Sequence, residues 1–482
     1  MATKKDLVEA YSFSRRRLVT AFVSGAPGGR EVEPSRPGRA VVGGLALAVL
    51  LVAAGAVLGI LKSPTSIDWG EEGLVSEKES GAVYLNLLKP DGSGDNELRP
   101  LANITSAMLI FGSGVRADRV PHDEIADQDP GAPIGILGAP QTPPDPDKLV
   151  QTGWTACLGV VTGAEEPTGV KVELRAEPAV TDDPGLVTAV ETSSGVFVVA
   201  QSANGGYERG ERAYAYPVPG KAGRGRLLQA LTGEGSPARV PDTWVTLFPA
   251  GGDLALSSFG IPDDRFGTAP DVDPGAPGAR VGDQLLVDDD VYLVTPDRVV
   301  ELDAFATAVF RGLEYPARKE SERITLDQAP ASVMTTRDLP DAARWPTEVR
   351  DTRPVGQLCA RLDVEADKPG VVLATADDLS TASAAEVDFG DTEIAVESGR
   401  GAFVYSGDWE EGGDTSGFLV DPRGLAYPVG PGQERDQLGY GPDVVPDVVV
   451  PNAWIELLPA GVPLTIDAAR CPPTSDQEST CS

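Results

Sequence analysis

Twelve residues recur in this chain 210 positions apart. Val240-Pro-Asp-Thr-Trp-Val-Thr-Leu-Phe-Pro-Ala-Gly251 and Val450-Pro-Asn-Ala-Trp-Ile-Glu-Leu-Leu-Pro-Ala-Gly461 agree at seven positions. Upstream, Ala215-Tyr-Pro-Val218 recurs as Ala426-Tyr-Pro-Val429, and Gly195-Val-Phe-Val198 resembles Gly401-Ala-Phe-Val404. Weaker parallels join Val83-Tyr84-Leu85 to Val291-Tyr292-Leu293 and Cys157 to Cys359. The matches keep their order, so the chain reads as a tandem duplication of a unit of about 200 residues.

Each copy divides again into strand, turn, strand, short helix and a Pro-led strand. The expected fold is α+β and β-rich: four small repeats around a central β domain, with a pseudo-two-fold axis from the duplication. The boundaries fall near 74–125, 190–260, 280–340 and 396–468 for the repeats. Residues 130–189 and 345–395 form the two parts of the central domain, and 469–482 a tail. Residues 81–88 read as a strand, 105–111 and 226–231 as short helices, and 302–313 as an amphipathic helix. Trp244, Thr246 and Phe248 alternate with Val245 and Leu247, which predicts a strand. Seven prolines in residues 121–150 and four in 262–278 predict stiff linkers and an elongated shape.

Charge divides the chain. Residues 1–40 carry eight basic and four acidic side chains, whereas the whole chain has a net charge of −33. Between the basic start and the acidic remainder, residues 41–61 contain no charged or polar side chain. As a helix they would extend roughly 32 Å, enough to cross a bilayer. A basic flank stays in the cytoplasm. The expectation is a single-pass cell-membrane protein, with residues 1–40 cytoplasmic, 41–61 transmembrane and the large C-terminal part extracytoplasmic. A cleaved secretion signal fits less well, because the apolar run is long and its exit, Gly59-Ile60-Leu61-Lys62, lacks small residues.

Cys157, Cys359, Cys471 and Cys481 all lie beyond the apolar run, on the oxidising side where disulfides persist. The duplication favours a Cys157–Cys359 bridge across the pseudo-axis and a small Cys471–Cys481 loop, with other pairings open.

Strong acidity argues against nucleic-acid binding. One histidine excludes a two-His metal site, and no Cys-x-x-Cys pair offers zinc thiolates. Gly220-Lys221 is followed by Ala222 and lacks the preceding glycine of a phosphate loop. His122 reads as a solvated side chain. The run Asp288-Asp289-Asp290 reads as a turn, and the stretch from Asp91 to Glu97 lacks the order of a calcium loop. Trp154, Trp244 and Trp454 read as core anchors rather than a glycan platform. No catalytic, cofactor or metal residue emerges: carboxylates are plentiful, but spacing alone identifies no glycosidase pair among them.

In residues 4–23, Leu7, Tyr11, Leu18 and Phe22 share a helical face, with Arg15, Arg16 and Arg17 clustered beside them. Such a segment can lie on anionic lipid, dock a partner or merely fix topology.

Tyr11-x-Phe13-x-x-Arg16-Arg17-Leu18-x-x-Ala21, one apolar span, Pro133-Ile-Gly-Ile-Leu-Gly-Ala-Pro140, Trp154-Thr-Ala-Cys157 and Pro451-x-x-Trp454-x-x-Leu457-Leu458-Pro459-Ala460-Gly461 together resemble the EccB family of type VII (ESX) secretion machines. The resemblance covers nearly the whole chain, apart from the tail after Ala469. It implies four repeats around a disulfide-linked core, and a structural component that anchors and organises the extracytoplasmic side of a secretion complex. The implied partners are EccC, EccD, EccE, the mycosin protease, the membrane and further copies of the chain, with Tyr11, Phe13, Arg16 and Arg17 in a docking segment. Some relatives are credited with ATP hydrolysis, which this chain's lack of a nucleotide loop does not favour. The rival expectations are a membrane-anchored cell-wall hydrolase and an anchored substrate-binding module.

Overall fold

The computed structural model describes residues 3–24, 37–61, 67–89, 92–159, 169–183, 185–202, 212–220, 224–233, 237–315, 321–342, 344–349, 356–365, 368–377, 380–384, 386–409 and 416–473. The chain forms two units, residues 1–68 and 69–482.

The first unit contains α1 (Lys4–Ser24) and α2 (Pro37–Leu61). Proline at the start of α2 suits a helix, because its missing N–H has no partner there anyway. The expected membrane span falls in α2, whose side chains are described at Gly38 and from Val41 to Ala53 and are all exposed. Among the described residues, no helix is long and apolar enough to cross a membrane.

The second unit opens with a four-stranded sheet of β1 (Gly73–Glu77), β2 (Val83–Leu88), β3 (Asn96–Pro100) and β4 (Ala117–Val120). The first three strands form an antiparallel meander. Helix α3 (Ile104–Phe111) then carries the chain back, so that β4 pairs parallel with β1. Asn103 caps α3 by accepting from the Ser106 N–H at 2.9 Å. Helix α4 (His122–Ala126) follows β4.

After β5 (Thr155–Leu158), β6 (Val170–Leu174) and β7 (Thr181–Asp182), the same path is taken by β8 (Val187–Glu191), β9 (Val196–Ser202), β10 (Arg212–Pro217), α5 (Arg224–Thr232) and β11 (Ala238–Arg239). Here β11 pairs parallel with β8. Helix α6 (Asp242–Val245) comes next.

It is taken a third time by β12 (Gln284–Val287), β13 (Asp290–Val294), β14 (Val299–Leu302), α7 (Ala304–Gly312) and β15 (Arg323–Thr325), with β16 (Met334–Thr335) added beside β14. Strands β17 (Gln357–Glu365), β18 (Lys368–Ala376) and β19 (Thr392–Val396) intervene. A fourth sheet comprises β20 (Ala402–Gly407), β21 (Gly417–Val420), β22 (Ala426–Val429), α8 (Glu434–Gln437) and β23 (Val449–Pro451), followed by α9 (Asn452–Ile455) and α10 (Ile466–Ala469). In each of the four sheets the third meander strand also meets the later segment in parallel: Leu98 with Pro130, Ala215 with Ala250, Val300 with Met334, Ala426 with Ala460.

The remaining strands build one six-stranded sheet in the order β19-β6-β5-β17-β18-β7. Its strands come from both halves of the chain, and β5 joins β17 antiparallel, with Cys157 opposite Cys359. Period-two alternation separates its faces. Ala156, Leu158, Val172, Leu174, Leu358, Ala360 and Leu362 point into a core shared with Trp154, Trp244 and Trp454, all three fully buried. The opposite face carries the cysteines and charged residues.

The segments around Trp244 and Trp454, expected as strands, are the short helices α6 and α9. Proline at the N-cap of each, Pro241 and Pro451, starts the turn. Trp244, Val245, Leu247 and Phe248 are all buried, a helical spacing that the apparent alternation concealed. The proline-rich segments are also packed rather than free-standing linkers: Ile134, Ile136 and Phe266 are fully buried, and Tyr440 donates its hydroxyl to the Pro144 carbonyl at 2.6 Å.

The second and third sheets share a core in which Leu227, Leu228 and Leu231 of α5 meet Phe305, Val309 and Phe310 of α7. The crossing is close because Gly312 has no side chain: a Cβ there would stand 2.7 Å from the Leu227 Cα. Gly312→Ala is therefore expected to cost about 1–3 kcal/mol, read from the denaturation midpoint, because backbone rather than a flexible side chain must yield.

Candidate functional site

In the first unit, α1 places Tyr11 and Phe13 in the open, with 74% and 56% of their surface accessible. Arg16 and Arg17 are exposed as well. Leu7, Leu18 and Phe22 are also exposed, so the apolar face of α1 has no covering element within the described residues of its unit. Of the four residues of the expected docking segment, Phe13, Arg16 and Arg17 share a helix face through their three- and four-residue spacing, whereas Tyr11, two residues before Phe13, lies on the opposite side.

In the second unit, Cys157 and Cys359 form a disulfide, 202 residues apart in sequence. Both side chains are fully buried beneath Ala374, Ala376, Ala382, Ala384 and Val387. The bond crosses from β5 to β17 and so ties the two halves of the chain at the middle of the six-stranded sheet. Cys471 is also disulfide-bonded; Cys481 lies outside the described residues. Beside the bridge, Arg361 forms a fork with Asp182, its Nε and Nη2 at 2.8 and 2.7 Å from the two carboxylate oxygens. Lys171 lies 3.8 Å from Glu173 and 3.6 Å from Glu393.

The indole of Trp244 donates to the Ala156 carbonyl of β5 at 3.0 Å, and that of Trp154 to Val150 at 2.8 Å. The Trp454 indole is equally buried but makes no hydrogen bond within the described residues. These tryptophans are core anchors with no exposed face for a glycan.

After the Val-Pro steps at Pro121, Pro241 and Pro451 the next residue latches back to the first strand of its sheet or to the turn that follows that strand. His122 Nδ1 lies 2.5 Å from Glu77, Asp242 accepts from Ser193, and Asn452 meets Ser406. Hydrogen bonds from Ser80 and then from His122 hold the Glu77 carboxyl below its ordinary range. The Ser193 and Ser194 hydroxyls do the same for Asp242. The His122 side chain is 71% accessible, so it is solvated as expected, although bonded.

Asp288 and Asp289 form the tight turn between β12 and β13, with Asp288 at φ 51°, and Asp290 opens β13 opposite Val287. Lys221 and Ala222 of the rejected phosphate loop and Asp91 of the rejected calcium loop lie outside the described residues. Among the described residues, no group of three or more His, Cys, Asp or Glu side chains is placed to hold a metal ion.

The sequence did not point to a cleft of about 230 Å³ at the crossing of α5 and α7, lined by Arg224, Leu227, Asp263, Leu313 and Glu314 among others. Nor did it single out Glu173, buried on the charged face of the six-stranded sheet. The alternation Lys171-Val-Glu173-Leu-Arg175 carries that face in the sequence, since every second residue of a strand shares a side.

Four like-connected β-β-β-α-β sheets and a disulfide-stapled central sheet define a β-rich scaffold of mixed α and β structure. The chain matches the family described as "Type VII secretion system ESX-1, transport TM domain B" over residues 1–473. It belongs to that family, EccB. The protein named ESX-1 secretion system ATPase EccB1 of Mycolicibacterium smegmatis (strain MKD8) is 25% identical over 453 residues, covering 86% of this chain and 84% of the relative. ESX-3 secretion system ATPase EccB3 of Mycobacterium tuberculosis (strain CDC 1551 / Oshkosh) is 24% identical over 431 residues, covering 78% and 73%.

Among solved structures, a chain of the intact ESX-5 inner membrane complex shares the fold with a TM-score of 0.58 at 21% identity, covering 98% of this chain and 96% of that one. The EccB3 dimer from the ESX-3 core complex gives 0.59 at 19% identity, covering 83% and 100%.

Proposed function

We propose that this protein is a membrane-anchored structural subunit of a type VII secretion complex, organising its extracytoplasmic side. The observation that carries the reading is the family match across residues 1–473, which takes in the N-terminal helices as well as the folded second unit. On this reading residues 41–61 cross the membrane and residues 1–40 stay in the cytoplasm. There Tyr11, Phe13, Arg16 and Arg17 dock on partner subunits at the bilayer surface. The four like-connected sheets are four copies of one repeat, paired by the duplication about the Cys157–Cys359 bridge. EccC, EccD, EccE, the mycosin protease and further copies of this chain are its partners; nucleic acid is not.

The names of relatives carry the word ATPase, which favours a second reading in which the chain hydrolyses ATP. A large acidic domain outside the cell would stand on the wrong side of the membrane for cytoplasmic nucleotide.

Protease added to intact spheroplasts carrying the full chain tests the topology. The large C-terminal fragment should be cut away while an epitope on residues 1–40 survives. Digestion of the epitope with survival of the large fragment would overturn the reading. ATP turnover by the purified full chain, unaffected by the other secretion subunits, would favour the second reading.

A further inference from the structure

We propose that the charged face of the six-stranded sheet holds one internal water molecule, bound by Thr155, Glu173 and Arg175. Thr155 and Glu173 stand opposite each other in the β5–β6 pair. Their side chains therefore project from the same face within van der Waals reach. They are 1% and 3% exposed. Thr155 Oγ1, Glu173 Oε2 and Arg175 Nε are all buried and make no hydrogen bond within the described residues. Such groups carry a desolvation cost unless they are bonded, and interiors meet it with ordered water making about three bonds.

The chemistry of the three atoms selects the ligand. A carboxylate oxygen accepts, a hydroxyl accepts or donates, and a guanidinium N–H donates. Water can donate to Glu173 and Thr155 while accepting from Arg175. Ions are disfavoured by the local balance, in which Lys171 and Arg175 face Glu173 and Glu393. Lys171 cannot supply the missing bond at full strength. It lies 3.8 Å from the other Glu173 oxygen and donates instead to the Thr381 carbonyl at 2.7 Å. Burial raises the Glu173 carboxyl above its ordinary range, and a bound water is what keeps a carboxylate tolerable there.

The other half of the sheet supplies an internal comparison. Two residues before Cys157 stands Thr155; two residues before Cys359 stands Gln357. Gln357 is 1% exposed, and its longer side chain finds protein on both ends. Its amide nitrogen donates to Ser383 Oγ at 2.9 Å, and its oxygen accepts from the Ala384 N–H at 2.7 Å. Threonine lacks that carboxamide, and a water can occupy part of the space and make the hydrogen bonds that the longer side chain makes for itself.

Diffraction from crystals of the full chain, at a resolution that shows ordered water, tests the proposal. The expected result is one water within hydrogen-bond distance of all three atoms. In Thr155→Gln the introduced carboxamide should take its place and the water should be lost, with no fall in the thermal unfolding midpoint. Thr155→Ser, which keeps the hydroxyl, should keep the water and serves if the glutamine variant does not fold. A dry site would overturn the proposal, and so would a direct bond from a protonated Glu173 to Thr155.

Discussion

Trp244→Ala is expected to destabilise the second unit by about 3–5 kcal/mol, the range for truncating a fully buried large aromatic. Two terms add. The side chain is wholly buried in the core under the six-stranded sheet, so its removal leaves a cavity that neighbours from three sheets cannot fill together. Its indole also donates to Ala156, so the truncation leaves a buried carbonyl short of a partner.

Phenylalanine separates the terms. Trp244→Phe should lose the hydrogen bond and part of the volume, whereas Trp454→Phe should lose volume alone, because the Trp454 indole has no partner among the described residues. Urea midpoints of the three variants, with unchanged slopes, check the ordering. Equal costs for the two phenylalanine variants would show that the Trp244 bond contributes nothing.

Removing the bridge with Cys157→Ala and Cys359→Ala together should cost about 5 kcal/mol, the chain-entropy value for a closed loop of 202 residues. The mechanism lies mainly in the unfolded chain, which gains freedom once the loop opens. The denaturant slope should therefore rise as the midpoint falls, since a released unfolded state exposes more surface. Both cysteines are fully buried, and the two alanines leave small gaps beneath the neighbouring alanines of that cluster. A drop in midpoint with no change in slope would place the effect in the native core instead.

The short helices α3, α5 and α7 were legible because each puts apolar residues at helical spacing and is short enough for local pattern to decide it. The Cys157–Cys359 pairing, seen in the structure, was legible because the two cysteines stand at matching points of the recurring segments. The Trp244 segment was not, because four residues of helix after a proline show the same apolar and polar letters as a strand. The packed state of residues 121–150 was also hidden: proline dictates an extended backbone but does not say whether that backbone is covered. Glu173 was one acid among 73 acidic residues, and only register with Thr155 distinguishes it.

Local pattern and internal similarity alone indicated a chain rich in short strands, with recurring segments in its two halves, cysteines at equivalent points of them and a basic helix ahead of an apolar run. Those properties depend on neighbours a few residues away or on copies of the same segment. Which faces of the sheets are buried, which tryptophan finds a carbonyl, and which buried polar atoms find no hydrogen bond among the described residues were decided only by the tertiary structure. Each depends on contacts between residues far apart in sequence, as Trp244 and Ala156 are, and no local pattern encodes a distance across the fold.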